Sequence, residues 1–403
     1  MLSDLRAMAG VAPGVAADGR PGLTFCDLSS FYTPTGGGIR TYHEAKLAWF
    51  AGQAVHRYLL VHPGASYSLR RYGPGVAAVS VFGARVGGGY RLPVDLRRIS
   101  ALFDLWRPDV LETGDPWISG PLGLYFRATG RTRVVSSFYH SDPVDTYVAP
   151  WVHAHALATR AGARAIALAD RLFFRFQRAY DVTVASSAWI ADKLDRRGIT
   201  PVLNAPFGVD PVFLAVGAAR QPMSPPRTRL LFVGRLQNDK AIDLVFSTLP
   251  RLLEVPGTTL TVVGAGRDAE ALRARAPEQV RFLGYLEDRA ALARVFEAHD
   301  VLLAPGPHET FGLGVLEGLA SGLSVVAPDA GGAGEILRRL ERPWLFRRDD
   351  ADDFVRAVRG AATIDGRHDA AAGVALARQY GTWAQAIGRE VEAYCTFWSR
   401  STT

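Results

Sequence analysis

The residues with most to offer chemically lie in one stretch, "HETFGLGVLEGLASG", residues 308–322. Glu309 and Glu317 stand there on either side of Phe311, Gly312 and Leu313. A helix starting near Phe311 puts Glu317 in its second turn, and at about 1.5 Å rise per residue the two acids sit roughly 10 Å apart along the axis. That is wide for an acid and a nucleophile acting on one bond, which need carboxyls about 5 Å apart. The spacing suits two hydroxyl acceptors at separate points of an elongated ligand, with free N–H groups of the helix start turned to a phosphate between them. The helix dipole and an exposed helical position would account for each acid alone. They do not account for the glycines around them.

Other positions offer complementary groups. In "VGRLQNDK", Gly234 ends an apolar run and is followed by Arg235 and Lys240. A planar guanidinium fork and a mobile ammonium suit a diphosphate. Lysine is scarce in this chain, occurring only at 46, 193 and 240, so its use in such a loop is notable. "TGGGIR" places Gly36, Gly37 and Gly38 ahead of a helical pattern, where backbone amides can approach an anion. His140 in "VVSSFYHSDPVD" ends an apolar run and could donate to a sugar hydroxyl or a charged leaving group. His153, His155 and His299 read as structural. In "GYLEDRAAL", Tyr285 ends another run beside a turn able to read a nucleobase edge, and Asp288 caps the next helix.

These groups need strands to present them. Apolar runs at 22–32, 55–62, 77–82, 109–113, 133–139 and 181–185 alternate with helical patterns, as in a mostly parallel α/β sheet. Periodicity fades across the proline-rich 206–229, the expected linker. The grammar then restarts with "RLLFVGRL", "TLTVVGAG", "VRFLGYL", "HDVLLAPG" and "LSVVAPDAGG". Two successive Rossmann-like domains are expected, at 20–207 and 228–375, with a helix at 376–403 carrying Trp383, Tyr394, Phe397 and Trp398 back to the first. "RRDDADDFVRAV" contains Asp-x-Asp, but its place before an amphipathic helix reads as an acidic cap, so no metal ligand is assigned.

The 403 residues exceed one ordinary core, and 48% apolar content supports two. Disorder is expected only in the first 20 residues and the last few. No run is long enough to span a bilayer and the N-terminal stretch lacks an apolar core for export, so the expectation is a cytoplasmic protein. Cys26 and Cys395 read as reduced thiols. A net charge of +7 is compatible with phosphorylated substrates or anionic headgroups, and "LRRYGPG" adds to a membrane-surface reading. No nucleic-acid motif accompanies the charge.

Together these residues resemble glycosyltransferase family 4, retaining enzymes of the GT-B fold, in which two Rossmann-like domains face across a cleft. The resemblance covers most of 22–398 and is strongest over 229–335, where E-x7-E in "ETFGLGVLE" is its most specific element, with "VGRLQNDK", "NAPFGVD" and "GGGIR" in support. It implies a nucleoside-diphosphate sugar donor of GDP-mannose or UDP-glucose type, no cofactor, and a glycan, lipid-linked or small-molecule hydroxyl acceptor. Arg235 and Lys240 would then neutralise the diphosphate, Glu317 accept from the ribose, and Glu309 contact the sugar. Amides near Phe311, Gly312 and Leu313 would assist the phosphate, His140 would lie near the donor sugar, and Gly37 and Gly38 would reach the phosphates. Phe207 departs from the pattern, where many relatives carry Asn, and His308 directly precedes the first acid. A nonhydrolysing sugar-nucleotide epimerase and a non-catalytic sugar-binding module are the alternatives.

Overall fold

Parallel strands covered on both faces read as continuous apolar runs, and such runs form the centre of both sheets. A computed structural model describes residues 2–33, 36–86, 90–154, 160–220, 228–363 and 370–401. His155 lies outside them. The chain divides into two units, Met1–Ser186 with Ala191–Ala205 and Ala384–Thr403, and Ser187–Ile190 with Pro206–Trp383.

The first unit holds β1 (Thr24–Leu28), β2 (Arg57–Gly64), β3 (Ser68–Gly73), β4 (Val76–Arg85), β5 (Arg91–Pro93), β6 (Val110–Thr113), β7 (Val134–Phe138), β8 (Val182–Ala185) and β9 (Val202–Asn204). They lie in the order β3-β4-β2-β1-β6-β7-β8-β9, with β5 also on β4. All pairings are parallel except those of β3 and β5 with β4. The second unit holds β10 (Arg229–Val233), β11 (Thr259–Val263), β12 (Val280–Gly284), β13 (Val301–Leu303), β14 (Ser324–Pro328) and β15 (Trp344–Phe346). Its order is β12-β11-β10-β13-β14-β15, entirely parallel. Leu230, Phe232, Val301, Leu303 and Val326 form its core with the helices Ile242–Leu253 and Ala351–Ala361.

Local expectations are corrected at some points and met at others. The first residues are ordered, in the helix Leu2–Ala9, because Leu5 and Met8 are buried in the sheet's core. The 206–229 linker contains the helix Pro211–Ala219, started by an Asp210 cap that accepts from Val212 N–H and by proline at the first position. "LRRYGPG" belongs to the antiparallel strand β3 and its turn, and Arg71 is ion-paired with Asp4. The C-terminal helix is two helices, Ala370–Tyr380 and Trp383–Ser401, parted at Gly381, whose φ of 79° ends the first. Only the second joins the first unit, from Ala384, so Trp383 stays with the second unit, tilted against Phe207. Asp350 caps Ala351–Ala361 by accepting from Asp353 N–H, as the reading of that acidic run required. Cys26 and Cys395 are free thiols.

The first unit buries an ionic cluster. Lys46 is 1% exposed, and its Nζ lies 3.0 Å from Asp27 Oδ2 and 3.2 Å from both Glu112 Oε1 and Glu390 Oε1. Tyr58 donates to Asp27 at 2.7 Å and Tyr394 to Glu112 at 2.7 Å, while Tyr42 OH lies 2.8 Å from Glu112 and 2.7 Å from Glu390. One ammonium cannot support three buried anions. Burial pushes Asp27 upward, but Lys46 and His43 outweigh it and bring the carboxyl down to about 2. Burial lifts Glu112 to about 8 against the pull of Lys46, and raises Glu390 in the same way. At neutral pH the cluster therefore centres on an Asp27–Lys46 ion pair with a protonated Glu112 hydrogen-bonded beside it.

Candidate active site

In an open parallel sheet, ligands bind beyond the carboxyl ends of the strands where the strand order reverses. In the second unit that point lies between β10 and β13. The loop after β10 ends in the turn Asn238–Lys240, and the loop after β13 carries Glu309. Their side chains meet across the reversal, Lys240 Nζ on Glu309 Oε1. Both are about a quarter exposed, 28% and 26%, so a solute can reach them. Arg235, two residues past β10, pairs with Asp239. A Cβ on Gly234 would meet only ordinary contacts, so the protein itself does not require glycine there.

The glycines unexplained by sequence form a clamp. A Cβ on Gly332 would lie 2.5 Å from Phe311 Cα and Thr310 O, and Gly332 N–H donates to Glu309 O at 2.8 Å. The start of the helix Gly331–Leu337 is thus pressed against the backbone carrying Glu309. Behind the loop, Phe311 is buried edge-on to Phe207 and Tyr380, at 5.0 and 5.7 Å, so Phe207 is core support for the loop. Gly312, at φ 93°, starts the helix Leu313–Ala320 with no side-chain cap, leaving the N–H groups of its first turn for an anion. Gly332→Ala must displace this loop, and about tenfold slower turnover is expected, with roughly 1–3 kcal/mol of lost stability. Steady-state kinetics and thermal melting of the variant check both.

Glu317 does not join Glu309. It lies in the second turn of Leu313–Ala320, 4% exposed, and its partner is Arg289. Burial raises its pKa, while Arg289 acts to lower it. Arg289 Nε is also 3.5 Å from Asp210, and its guanidinium lies 4.7 Å from the Phe213 ring centroid. Tyr285, just beyond β12, is 38% exposed, and Asp288 caps the following helix by accepting from Ala290 N–H at 2.9 Å. His308 Nε2 is 3.3 Å from Arg348. His299 is buried with Nδ1 2.5 Å from Val295 O, a structural role.

In the first unit the order reverses at β1, between β2 and β6. The loop after β1 leads to Gly37, which precedes the uncapped helix Gly38–Ala51, and nothing lies within 4 Å of where its Cβ would be. A Cβ on Gly114, after β6, would be 3.3 Å from Ser29 Oγ and 3.8 Å from the His140 ring, so the loops after β1, β6 and β7 adjoin. His140 stacks on Phe138 at 4.0 Å and meets Tyr42 edge-on at 5.4 Å. Burial, reinforced by His43, holds its pKa well below the ordinary histidine value. The imidazole is neutral at physiological pH.

The family described as Glycosyltransferase Family 4 matches residues 36–213, and Glycosyl transferases group 1 matches 227–363. A Mycobacterium tuberculosis protein, GDP-mannose-dependent alpha-(1-6)-phosphatidylinositol dimannoside mannosyltransferase, is 30% identical over 355 residues, covering 85% of this chain and 88% of its own. The chain belongs to glycosyltransferase family 4. The glycosyltransferase has the GT-B fold: sucrose-phosphate synthase from Thermosynechococcus elongatus matches with a TM-score of 0.74 at 18% identity, covering 94% of this chain and all of its own. Anabaena HepE, in complex with UDP and glucose, matches at 0.64 and 16% identity, over 93% of this chain and 99% of its own.

In the glycosyltransferase, then, Gly234, Arg235, Lys240, Glu309, Phe311 and Gly312 lie on the two loops at the reversal of the second sheet, with Leu313 and Glu317 on the helix that follows. His140, Gly37 and Gly38 lie at the corresponding edge of the first sheet. Sequence reasoning missed Asp239, Arg289 and Asp210, the charge partners that hold the acids and bases in place. A signal existed for Asp210: aspartate directly before proline is a helix start, and "NAPFGVD" ends in that aspartate.

Proposed function

We propose that this glycosyltransferase moves a mannosyl group from GDP-mannose to a hydroxyl of a lipid-linked glycan, retaining the anomeric configuration and using no metal ion. The observation that carries the reading is the solvent-reachable Lys240–Glu309 pair at the reversal of the second sheet. It sets a cation for a diphosphate beside an acceptor for sugar hydroxyls. The mycobacterial relative's name favours GDP-mannose over a UDP-glucose type of donor, and a phospholipid-linked mannoside as acceptor.

The diphosphate takes up Lys240, Arg235 and the first-turn amides of Leu313–Ala320, and Glu309 turns its freed carboxylate to the sugar. Glu317, held by Arg289, accepts from the ribose. The bond from the anomeric carbon to the phosphate oxygen breaks, with its electrons leaving on the diphosphate. The acceptor oxygen bonds the same face of that carbon and gives its proton to the departing phosphate oxygen. Charge grows on the diphosphate along this path, so Lys240 and Arg235 bind the transition state more strongly than the ground state. Their positive field serves in place of a metal.

The test supplies labelled GDP-mannose or UDP-glucose with a phosphatidylinositol mannoside, with and without chelator, and reads the product's anomeric configuration. Mannosyl transfer with retention, unchanged by chelator, is expected. Turnover of UDP-glucose alone, an inverted product, or activity lost to chelator and restored by a divalent ion would each overturn the corresponding part.

A further inference from the structure

We propose that the exposed face of the helix Arg160–Gln177 seats the protein on an anionic lipid bilayer. The proposal is independent of the donor reading. The helix buries Gly162, Phe174 and Gln177. On the exposed side, winding at about 100° per residue brings Arg160, Arg171, Arg164 and Arg175 into one stripe. Leu168, Ala161, Leu172 and Ala165 form the next. All eight are exposed, Leu168 by 55% and Leu172 by 56%. None of the four arginines has a carboxylate partner among the described residues, and the helix's only acid, Asp170, is taken by Arg197.

A second observation extends the basic stripe. Beside Arg171 lies an open depression of about 570 Å³, lined by Arg171, Arg178, Arg196 and Arg197. Arg178 is fixed there by donating to Arg197 O at 2.6 Å, and Asp170 is already neutralised. The depression therefore presents net positive charge to a phosphate.

This pattern selects the partner. Side-by-side basic and aliphatic stripes on a helix lying along a surface match the headgroup and acyl boundary of a bilayer: arginines take the phosphates and leucines enter the apolar edge. A nucleic acid would use the charge but has no place for Leu168 and Leu172, and the face offers no aromatic platform for bases. Arg71 of "LRRYGPG" is already engaged by Asp4, unlike the four arginines of this helix.

Vesicle flotation tests it, comparing phosphatidylcholine alone with phosphatidylcholine mixed with phosphatidylglycerol. Binding is expected only to the mixed vesicles, weakening as salt is raised. At about fivefold per basic residue, the equivalent of about 1 kcal/mol each, the pair Arg164→Gln and Arg171→Gln lowers partition about 25-fold. The pair Leu168→Ser and Leu172→Ser lowers it about tenfold. Both pairs should melt as the wild type does and hydrolyse the donor at its rate; if a pair melts lower, single Arg164→Gln and Leu168→Ser carry the test. Equal binding to neutral vesicles, or anionic binding untouched by either pair, overturns the proposal. So does binding lost with the arginines but kept with the leucines replaced, which marks contact with a polyanion instead.

Discussion

Lys240→Ala and Glu309→Ala will each slow turnover by at least tenfold while leaving the protein folded. Removing one preorganised charge from a developing oxyanion costs on the order of a hundredfold to a thousandfold in water-excluded sites. Here both side chains are about a quarter exposed, so water partly substitutes and the lower end applies. The loss should fall on kcat more than on KM, because leaving-group charge is greatest in the transition state. The two residues hold each other in the free enzyme, so their effects will not add. Lys240→Ala leaves the Glu309 carboxylate facing the diphosphate, and removing that carboxylate as well should recover part of the loss. An ion pair that solvent can reach contributes at most about 1 kcal/mol to folding, so melting temperatures should barely move. Near-normal rates in both single variants would remove the site assignment.

Lys46→Met will have the largest effect on stability. It takes the ammonium from a cluster with three buried carboxyls, and leaving a buried charge unpaired costs about 3–5 kcal/mol. For a unit of this size that is roughly 2–4 °C of melting temperature per kcal/mol, so a drop on the order of 10 °C is expected in the first unit's transition. The pH dependence has a definite sign. Asp27 has a folded pKa of about 2, below its ordinary 3.8, so the stability it gains from Lys46 is complete above the ordinary value and lost as pH falls towards 2. The gap between variant and wild type should be full at pH 7 and narrow between those two pKa values. Denaturant titrations at neutral and acid pH measure it, and a gap that stays constant with pH would refute the ion-pair account.

What was legible in the sequence follows from what is local. Five strands of the second unit are short apolar runs, each ended or closely followed by glycine or proline, whereas the three-residue β15 runs into Arg347 and was not read; E-x7-E lies within one loop and helix. Glu317 sits in the second turn of its helix, as the spacing implied. The two acids have separate partners. The antiparallel β3 and the short β5 and β9 carry little apolar pattern, and Leu2–Ala9 was masked by its polar residues. The buried cluster was invisible for a deeper reason. Tyr42 and Glu390 are 348 positions apart, and no periodicity links residues at such a distance. Arg289 was passed over because an arginine at a helix start looks like a solvated side chain until the helix Pro211–Ala219 is seen beneath it.

The late return of the chain to the first unit sets an order of events during synthesis. Glu390 and Tyr394 complete the cluster around Lys46, yet about 180 residues of the second unit are made between Ala205 and Ala384. At about 5–20 residues per second on the ribosome, the nascent first sheet waits roughly 10–40 s with Lys46, Asp27 and Glu112 open to water. During that interval the half-built sheet has its polar slot hydrated, and the second unit can fold without competing for it. The closing helix arrives after the second unit, so a ribosome stalled within that unit leaves a chain that chaperones and proteases meet with its first core unsealed.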